Sequence, residues 1–307
     1  MLNKINFQPL NAAYLSSTNA KFMPLHCTPV NAFQTSIVLS KANTRVKKMF
    51  AQETASPITQ ALQTTIFMPT APWCNGYISP LNLHPIIYQS IASMMQIGVN
   101  LQNPAHFIDH LQIHLQTQSY FEAESEWGKT VKKSEQAFNK CIQRIMKNVS
   151  GIEIQEFTLN CDSAQNGSLQ FSSLISLINS KLLELLNKFE PDNFLALFLK
   201  KEPCINQRIN IRFIIVLQKN FIDEPFGFSD SSFCEQLKYI IESSSGYALD
   251  YGVLPLNGFL QTRRFNKKSA DFKDCIKYLK LYLIGTDTLY RVDGLQSSFE
   301  IVYSKFN

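Results

Sequence analysis

A chain of 307 residues with 45% hydrophobic residues and a net charge of +5 has the size and composition of one large globular domain or two modest ones. No apolar run approaches the roughly 18 residues that a membrane span requires, and the N-terminus lacks a secretory signal pattern. The seven cysteines include no C-x-x-C pair, which argues against a zinc ribbon or a disulfide framework and predicts reduced thiols in a cytoplasm. The sequence also lacks the glycine-rich patterns that bind nucleotides and the Gly-x-Ser-x-Gly motif of serine hydrolases, so neither function is supported.

Charge is distributed in blocks that suggest three regions. Residues 1–50 contain six Lys or Arg and no acid, and we predict a flexible basic arm there. Such an arm could attract phosphates, act as an organelle transit peptide or be a solvated tail. Residues 51–128 contain five acids and no Lys or Arg, and are expected to be helical beyond Pro85. Residues 129–307 are assigned to an α+β domain.

A predicted helix over about residues 104–120 carries three histidines four residues apart. His106, His110 and His114 therefore share one helical face, with Asp109 beside them. A His pair at this spacing can chelate zinc, but the same pattern is expected for a partly exposed stripe of histidines. We assign no metal site on this pattern alone.

Residues 129–149 have the spacing of an amphipathic helix. An apolar stripe that includes Phe138, Ile142 and Ile145 is surrounded by Lys and Arg. The basic side chains could contact phosphates or simply form a solvated face.

The remaining elements alternate between strand and helix patterns. Strands are predicted over 152–159, 194–200, 208–217, about 256–264 and in an extended segment over 289–303, and helices over 168–189, 233–241 and 271–284. The short gap after residue 200 favours an antiparallel hairpin. The order β-α-β-β-α-β-α predicts an α+β fold with a largely antiparallel sheet backed by helices, preceded by a helical N-terminal region.

Within the strand over 208–217, Asn210 and Arg212 are two residues apart and so lie side by side on one face of the sheet. A basic cluster then follows near residues 263–280, and it is a candidate DNA-binding surface. Phe265 and Phe272 lie among its members and could stack on unpaired bases. The cluster consists of Arg263, Arg264, Lys267, Lys268, Lys273, Lys277 and Lys280. A merely solubilising cluster would have the same composition.

Several motifs over residues 129–307 resemble the inovirus-type replication-associated family, also described as the YagK/YfjJ C-terminal domain family. The family's first two strands are similar to Glu153–Cys161, followed by Asp162, and to Leu195–Glu202. The strand 208–217 resembles the one where the family carries His-x-His. The sequence from Tyr282 to Val292 resembles its Tyr-Leu-x-Lys motif, and 299–306 its closing strand.

This resemblance implies a relation to rolling-circle initiators, in which a Tyr attacks a phosphodiester and a metal held by two His stabilises the developing charge. The Tyr would lie on a helix facing the sheet. Tyr282 is the implied nucleophile, with Tyr278 one turn earlier. Asn210 and Arg212 stand where the two His would be, and Gly285 stands where a Lys would follow.

These departures predict a degenerate site. Asn is a weak ligand and Arg repels a cation, whereas Arg212 could contact a phosphate directly. We therefore expect a DNA-associated replication protein of a phage or mobile element, binding single-stranded or origin DNA in the cytoplasm and needing no cofactor. Two alternatives stay open. One is an active Tyr-dependent DNA endonuclease and strand transferase, which would use Mg²⁺ or Mn²⁺. The other is a protein-interaction module without a nucleic-acid role.

Overall fold

The computed structural model describes residues 29–44, 47, 81–97, 104–162, 168–189, 193–203, 208–218, 239, 243, 249–250, 264–292 and 297–306. The helices in these ranges are α1 (Pro29–Ser40), α2 (Pro85–Ile97), α3 (Pro104–Leu115), α4 (Gln118–Asn148), α5 (Ser168–Phe189) and α6 (Ala270–Ile284), with a 3-10 turn at Gly285–Thr288. The strands are β1 (Leu81–Leu83), β2 (Gly151–Asp162), β3 (Phe194–Pro203), β4 (Arg208–Gln218), β5 (Leu249–Asp250), β6 (Arg264–Asn266), β7 (Tyr290–Val292) and β8 (Phe299–Ser304).

The larger sheet is antiparallel at every pairing and runs in the order β5-β2-β4-β3-β8, with β6 also paired to β2. The predicted hairpin is formed by β3 and β4, and the predicted α+β class is confirmed. All but residue 239 of the helix predicted over 233–241, and most of the strand predicted over 256–264, lie outside the described residues; residue 239 is helical. None of the helices within the described ranges is long and apolar enough to cross a membrane.

Two hydrophobic cores hold these elements together. The sheet core lies between one face of the larger sheet and the helices α4 and α6, and includes Phe138, Phe198 and Ile214. The helical core joins α1, α2, α3 and the start of α4, and includes Phe33, Ile87 and Phe107. Each of these six residues is 0% exposed, so the centre of each core is excluded from water.

Helix α4 contributes to both cores. Its Tyr120 packs in the helical core, and its Phe138 to Val149 segment packs in the sheet core. We expected one helix to end near residue 120 and another to begin at 129, but a single helix runs through the 128/129 boundary. The break lies earlier, at Thr117, whose side-chain oxygen accepts a hydrogen bond from the backbone N–H of Tyr120.

Helix α1 corrects the interpretation of residues 1–50 as a basic arm. Phe33, Ile37 and Leu39 of this helix are buried in the helical core. Residues 29–40 are therefore part of the folded structure, because burying these apolar side chains stabilises a helix that is short in isolation. Residues 1–28 lie outside the described residues.

The segment after the 3-10 turn at Gly285–Thr288 closes the helical core. Strand β1 pairs with β7, and the backbone N–H of His84 donates to the carbonyl of Leu289 at 2.8 Å. Leu289 and Tyr290 are themselves members of the helical core. The N-terminal helices are thus attached to the α+β part through both α4 and this small sheet.

Candidate functional site

The strand register gathers charged residues at one end of the larger sheet. Opposite Arg212 of β4 lie Lys200 of β3 and Thr158 of β2, and two positions further along β3 and β4 Glu202 lies opposite Asn210. Directly opposite residues share a face, and so do residues two apart on one strand. The same face is apolar toward the other end, where Phe198 pairs with Ile214. The helix-covered face of the sheet therefore changes from apolar to charged along its length.

The charged end forms a buried ion cluster, which we define as Glu156, Lys200, Glu202 and Arg212. Arg212 Nη1 lies 2.9 Å from Glu156 Oε1, and Arg212 Nε lies 2.9 Å from Glu202 Oε2. Lys200 Nζ lies 3.4 Å from Glu202 Oε1 and also donates to the carbonyl of Tyr282. No side chain of the cluster is more than 7% exposed. Arg212 thus bridges the two carboxylates.

Tyr282 of α6 lies over the ion cluster, on a helix that faces the sheet as expected for the implied nucleophile. Its hydroxyl donates to Glu156 Oε1 at 3.2 Å, and its ring centroid lies 5.5 Å from Arg212 Cζ and 4.5 Å from Lys200 Nζ. The residue is 1% exposed. Tyr278, one turn earlier, is also buried, at 6% exposure. The structure therefore brings Tyr282 and Arg212 together, but beneath the surface.

Burial determines the ionisation of this site. It raises the pKa of Tyr282 well above its ordinary value, and the Glu156 and Glu202 carboxylates raise it further. Burial also raises the pKa of Glu156, and the attraction of Arg212 offsets this only in part. For Arg212, burial alone would lower the pKa, but Glu202, Tyr282 and Glu156 together raise it. Arg212 therefore remains charged, and Tyr282 holds its phenolic proton.

Such an arrangement does not prepare a tyrosine for attack. A nucleophile is normally activated by a lowered pKa or an adjacent base, whereas the environment of Tyr282 favours the neutral phenol. Lys200, whose pKa is lowered mainly by burial, is occupied by Glu202 and the Tyr282 carbonyl. The role that this geometry supports is structural, because the cluster packs α6 against the sheet and holds it in position.

The described side chains also do not fit a divalent metal. Arg212 and Lys200 lie at the Glu156 and Glu202 carboxylates, where a metal ion would otherwise bind, and like charges repel. Within the described residues, no three His, Cys, Asp or Glu side chains are grouped in a way that could hold a metal ion. For Asn210 the structure describes only the backbone, which lies opposite Glu202 and Asn160 in the register.

The suggestion that Arg212 contacts a phosphate is wrong for this arrangement. Its guanidinium is buried and lies within 2.9 Å of two carboxylates, so no surface anion can reach it. The suggestion that Phe265 and Phe272 stack on bases is wrong for the same physical reason. They are 1% and 7% exposed and belong to the sheet core, because the packing of β6 and α6 against the sheet buries their rings.

The predicted basic cluster is split by the structure. Lys267, Lys268, Lys273 and Lys277 are exposed, Lys280 is half-buried, Arg264 is described only in its backbone and Arg263 lies outside the described residues. Lys267 has a structural contact, because its Nζ donates to the carbonyl of Met146 near the C-terminus of α4. Lys268, Lys273 and Lys277, which we call the α6 cluster, are the members left facing solvent.

The histidine stripe of α3 lies far from this chemistry in the fold, on the helical region. His106 is exposed, while the rings of His110 and His114 are 4.5 Å apart. Burial, His114 and His106 each lower the pKa of His110. Asp109, which we considered beside them, instead pairs with Lys47.

Sequence reasoning missed three members of the ion cluster and a second polar group. Glu156 interrupts the apolar side of β2, and Lys200 and Glu202 follow an apolar run in β3. Pairing these strands with β4 in the correct register would have placed all three residues near Arg212. The second group is at the junction of the two cores. There His84 packs edge-on against Trp127 at 5.6 Å, and the Arg291 guanidinium stacks on the Trp127 ring at 3.8 Å.

Comparison of the chain with protein-family models gave no match, and comparison with curated proteins and with solved structures gave none either. The resemblance to the replication-associated family therefore stays a prediction from the motifs quoted above.

Proposed function

We propose that the chain is a cytoplasmic, DNA-associated replication protein of a phage or another mobile element, which binds single-stranded DNA through a basic surface and has lost the nicking chemistry of its presumed relatives. The observation that carries the proposal is the exposure of the α6 cluster, which consists of Lys268 in the turn before α6 and of Lys273 and Lys277 on the outer side of that helix, whose inner side holds Tyr282. Exposed lysines attract phosphates by releasing counterions.

The buried state of Tyr282 supports the non-cutting part of the proposal. A tyrosine that attacks DNA must meet a phosphodiester, and Tyr282 is 1% exposed with its hydroxyl engaged by Glu156. The two cations beneath the ring, Lys200 and Arg212, are already paired with Glu202 and Glu156, so they are not available to an approaching phosphate.

The test is single-stranded DNA binding measured by fluorescence anisotropy across a range of salt concentrations. Neutralising the α6 cluster as Lys268→Gln, Lys273→Gln and Lys277→Gln should lower the affinity and reduce the slope of log K against log salt by about 2, because each phosphate contact on a single strand contributes about 0.7. Lys267 is kept, since it contacts the end of α4. Binding that does not depend on salt, or no binding, contradicts the proposal.

A matched control removes the same charge elsewhere. Lys41→Gln, Lys181→Gln and Lys188→Gln change side chains just after α1 and on α5, away from α6 in the sequence. This variant should keep the salt slope of the unmodified protein. If both triple variants weaken binding equally, the effect is one of net charge, and the α6 cluster is not a specific surface.

The alternative of an active nicking enzyme has one observation in its favour, which is the meeting of Tyr282, Arg212 and Lys200 at one end of the sheet. It requires α6 to move so that the phenol is exposed. It predicts a covalent adduct between the protein and single-stranded DNA in Mg²⁺ or Mn²⁺, which Tyr282→Phe abolishes. The proposed function predicts no adduct.

A further inference from the structure

The outward face of α4 carries a regular line of polar side chains. We call it the α4 stripe, and its members are Lys133, Gln136, Lys140, Gln143 and Lys147, all of them exposed. Residues separated by three, four and seven positions lie on one face of a helix. From Lys133 to Lys147 the stripe extends about 21 Å at 1.5 Å per residue. It is therefore a straight row of cations and amides along one helix.

The α4 stripe lacks the mixed charge expected of a face that serves only to keep a helix soluble. The sequence from Gln136 to Ile152 contains no Asp or Glu. Glu135 is two positions from Lys133 and so does not face it on the helix. Within the described residues, no acid forms an ion pair with Lys133, Lys140 or Lys147, whereas Lys129, one turn earlier, pairs with Glu126 at 3.8 Å. The positive potential of the stripe is thus left uncompensated.

The C-terminal end of the stripe lies near the turn that leads into α6. Lys267 donates from its backbone N–H to the carbonyl of Ser150 at 2.8 Å and from its side chain to the carbonyl of Met146. These contacts hold the turn that contains Lys268 against the C-terminal end of α4, where Lys147 lies. Helices α4 and α6 also share the sheet core, through residues such as Cys141 and Cys275.

We propose that the α4 stripe and the α6 cluster form one surface that binds the phosphate backbone of single-stranded DNA, with α4 supplying the longer part of the path. The lysines contact phosphates as point charges, and the Gln136 and Gln143 amides donate hydrogen bonds to phosphate oxygens between them. Because Phe265 and Phe272 are buried, stacking adds nothing here and binding is independent of base sequence. This inference rests on the proposed function and names the part of the protein that performs most of it.

The test compares two triple variants of the full chain with a fluorescein-labelled oligo-dT of about 25 nucleotides, over about 50 to 200 mM salt. In the α4 variant, Lys133→Gln, Lys140→Gln and Lys147→Gln remove the cations of the stripe. We expect the affinity to fall at least about tenfold at the lower salt concentration and the salt slope to fall by about 2. The variant Lys41→Gln, Lys181→Gln and Lys188→Gln removes the same charge and should keep both values.

A second variant separates charge from folding. Lys133→Arg, Lys140→Arg and Lys147→Arg retain the positive charge of the stripe and should keep the affinity within about threefold of the unmodified protein, whereas a requirement for the lysines in folding would affect both substitutions. Mixed-sequence and oligo-dT strands of equal length should bind equally well. A clear preference between them contradicts backbone binding.

The outcomes distinguish this inference from the proposed function. If the protein binds DNA and the α6 variant binds more weakly, but the α4 variant matches its charge control, the inference is overturned and the proposed function stands. If the unmodified protein shows no salt-dependent DNA binding, both are overturned. If the α4 variant and the α6 variant each lose about 2 of the salt slope while the charge control keeps it, the inference is supported in full.

Discussion

The two cores bury polar groups in opposite ways. The sheet core holds Glu156, Glu202, Lys200 and Arg212 beside one another, so each of these groups has a partner of opposite charge within 3.4 Å. At the edge of the helical core, His84 is 4% exposed, with its Nδ1 accepting from the backbone N–H of Ile86 at 3.2 Å. Burial, and then Arg291, lower the pKa of His84 to about 3.

The difference teaches how each core responds to change. An ion cluster depends on the presence of every partner, because removal of one leaves an uncompensated buried charge. A neutral histidine depends on pH, because protonation places a charge where none is accommodated.

The comparison also separates function from stability. The charged residues that resemble a catalytic site are buried in the sheet core, while the residues proposed to bind DNA lie on the outer sides of its helices.

The largest expected effect comes from opening the ion cluster. Arg212→Met should lower the free energy of unfolding by about 3–5 kcal/mol, because Glu156 and Glu202 would lose the cation that lies between them. Urea denaturation followed by circular dichroism measures this loss.

Arg144→Met is the matched control for the same chemical change at the surface of α4. Arg144 is half-buried, with Nη1 at 3.4 Å from the carbonyl of Phe306, so we expect a loss below about 1 kcal/mol. Adding Glu156→Gln to Arg212→Met should recover part of the lost stability, since it removes one uncompensated carboxylate. Equal losses for the two arginine variants would show that the cluster does not hold the sheet core.

The second effect concerns pH at the helical core. The unfolded chain protonates His84 below about pH 6.5, whereas the folded chain does so only near pH 3. Stability from this group is therefore fully present above pH 6.5 and is lost as the pH falls toward 3. Between pH 7 and pH 5 the loss should be about 2 kcal/mol.

His84→Gln isolates this contribution from that of the carboxylates. The variant should be less stable at pH 7, because the imidazole packs against Phe33 and Trp127, but it should lose about 2 kcal/mol less than the unmodified protein between pH 7 and pH 5. Urea denaturation at the two pH values measures both quantities. Parallel curves for the two proteins would mean that His84 is not held neutral.

A smaller effect is expected from the Tyr282 hydroxyl. Tyr282→Phe keeps the ring over Lys200 and Arg212 and removes one hydrogen bond to Glu156, whose Oε1 still accepts from Arg212. The free energy of unfolding should fall by about 1 kcal/mol. Tyr303→Phe is the control, since its ring stacks on Phe194 at 4.6 Å and should change stability by less than about 0.5 kcal/mol. If the Tyr282→Phe variant is more stable than the unmodified protein, the buried hydroxyl lowers the free energy of unfolding, as expected of a retained nucleophile.

The smallest effect is expected at the rim of the helical core. Lys47 and Asp109 form an ion pair whose side chains are 25% and 52% exposed. Lys47→Ala should cost no more than about 1 kcal/mol, and the difference from the unmodified protein should shrink as salt is added. Thermal melting at low and high salt measures it. A loss comparable to that of Arg212→Met would mean that the segment after α1 is held mainly by this pair.

Much of the sheet core was predictable because its elements have clear periods. The helix predicted over 168–189 and the strand predicted over 208–217 match α5 and β4 within one residue at each end. The helical core was less predictable, because it is assembled from segments far apart in sequence. The short strand β1 has too few residues to show a period, and α4 was divided in the prediction since the sign of its charge changes near residue 128. Helical periodicity does not depend on charge sign, and Tyr120, Trp127 and Val131 already continued it.

The site was predictable only in part. The spacing of Asn210 and Arg212 correctly predicted a shared face, and α6 was expected to face the sheet. The burial of Arg212 was not foreseen, because the sequence of β4 alone does not show that β2 and β3 place carboxylates beside this arginine. The exposure of lysines was easier to anticipate than that of Phe265 and Phe272, because aromatic rings between lysines can face either water or the core.

The pairing of β1 with β7 affects how the protein can fold during synthesis. The helices α1 and α2 leave the ribosome well before Leu289 and Tyr290, which complete their packing. Until then, apolar surfaces on these helices stay open to chaperones or to neighbouring nascent chains. Contacts so distant along the chain form slowly. A truncation before residue 289 should therefore leave apolar surface of α1 and α2 exposed and make the protein prone to aggregate, even though no residue of these helices has been altered.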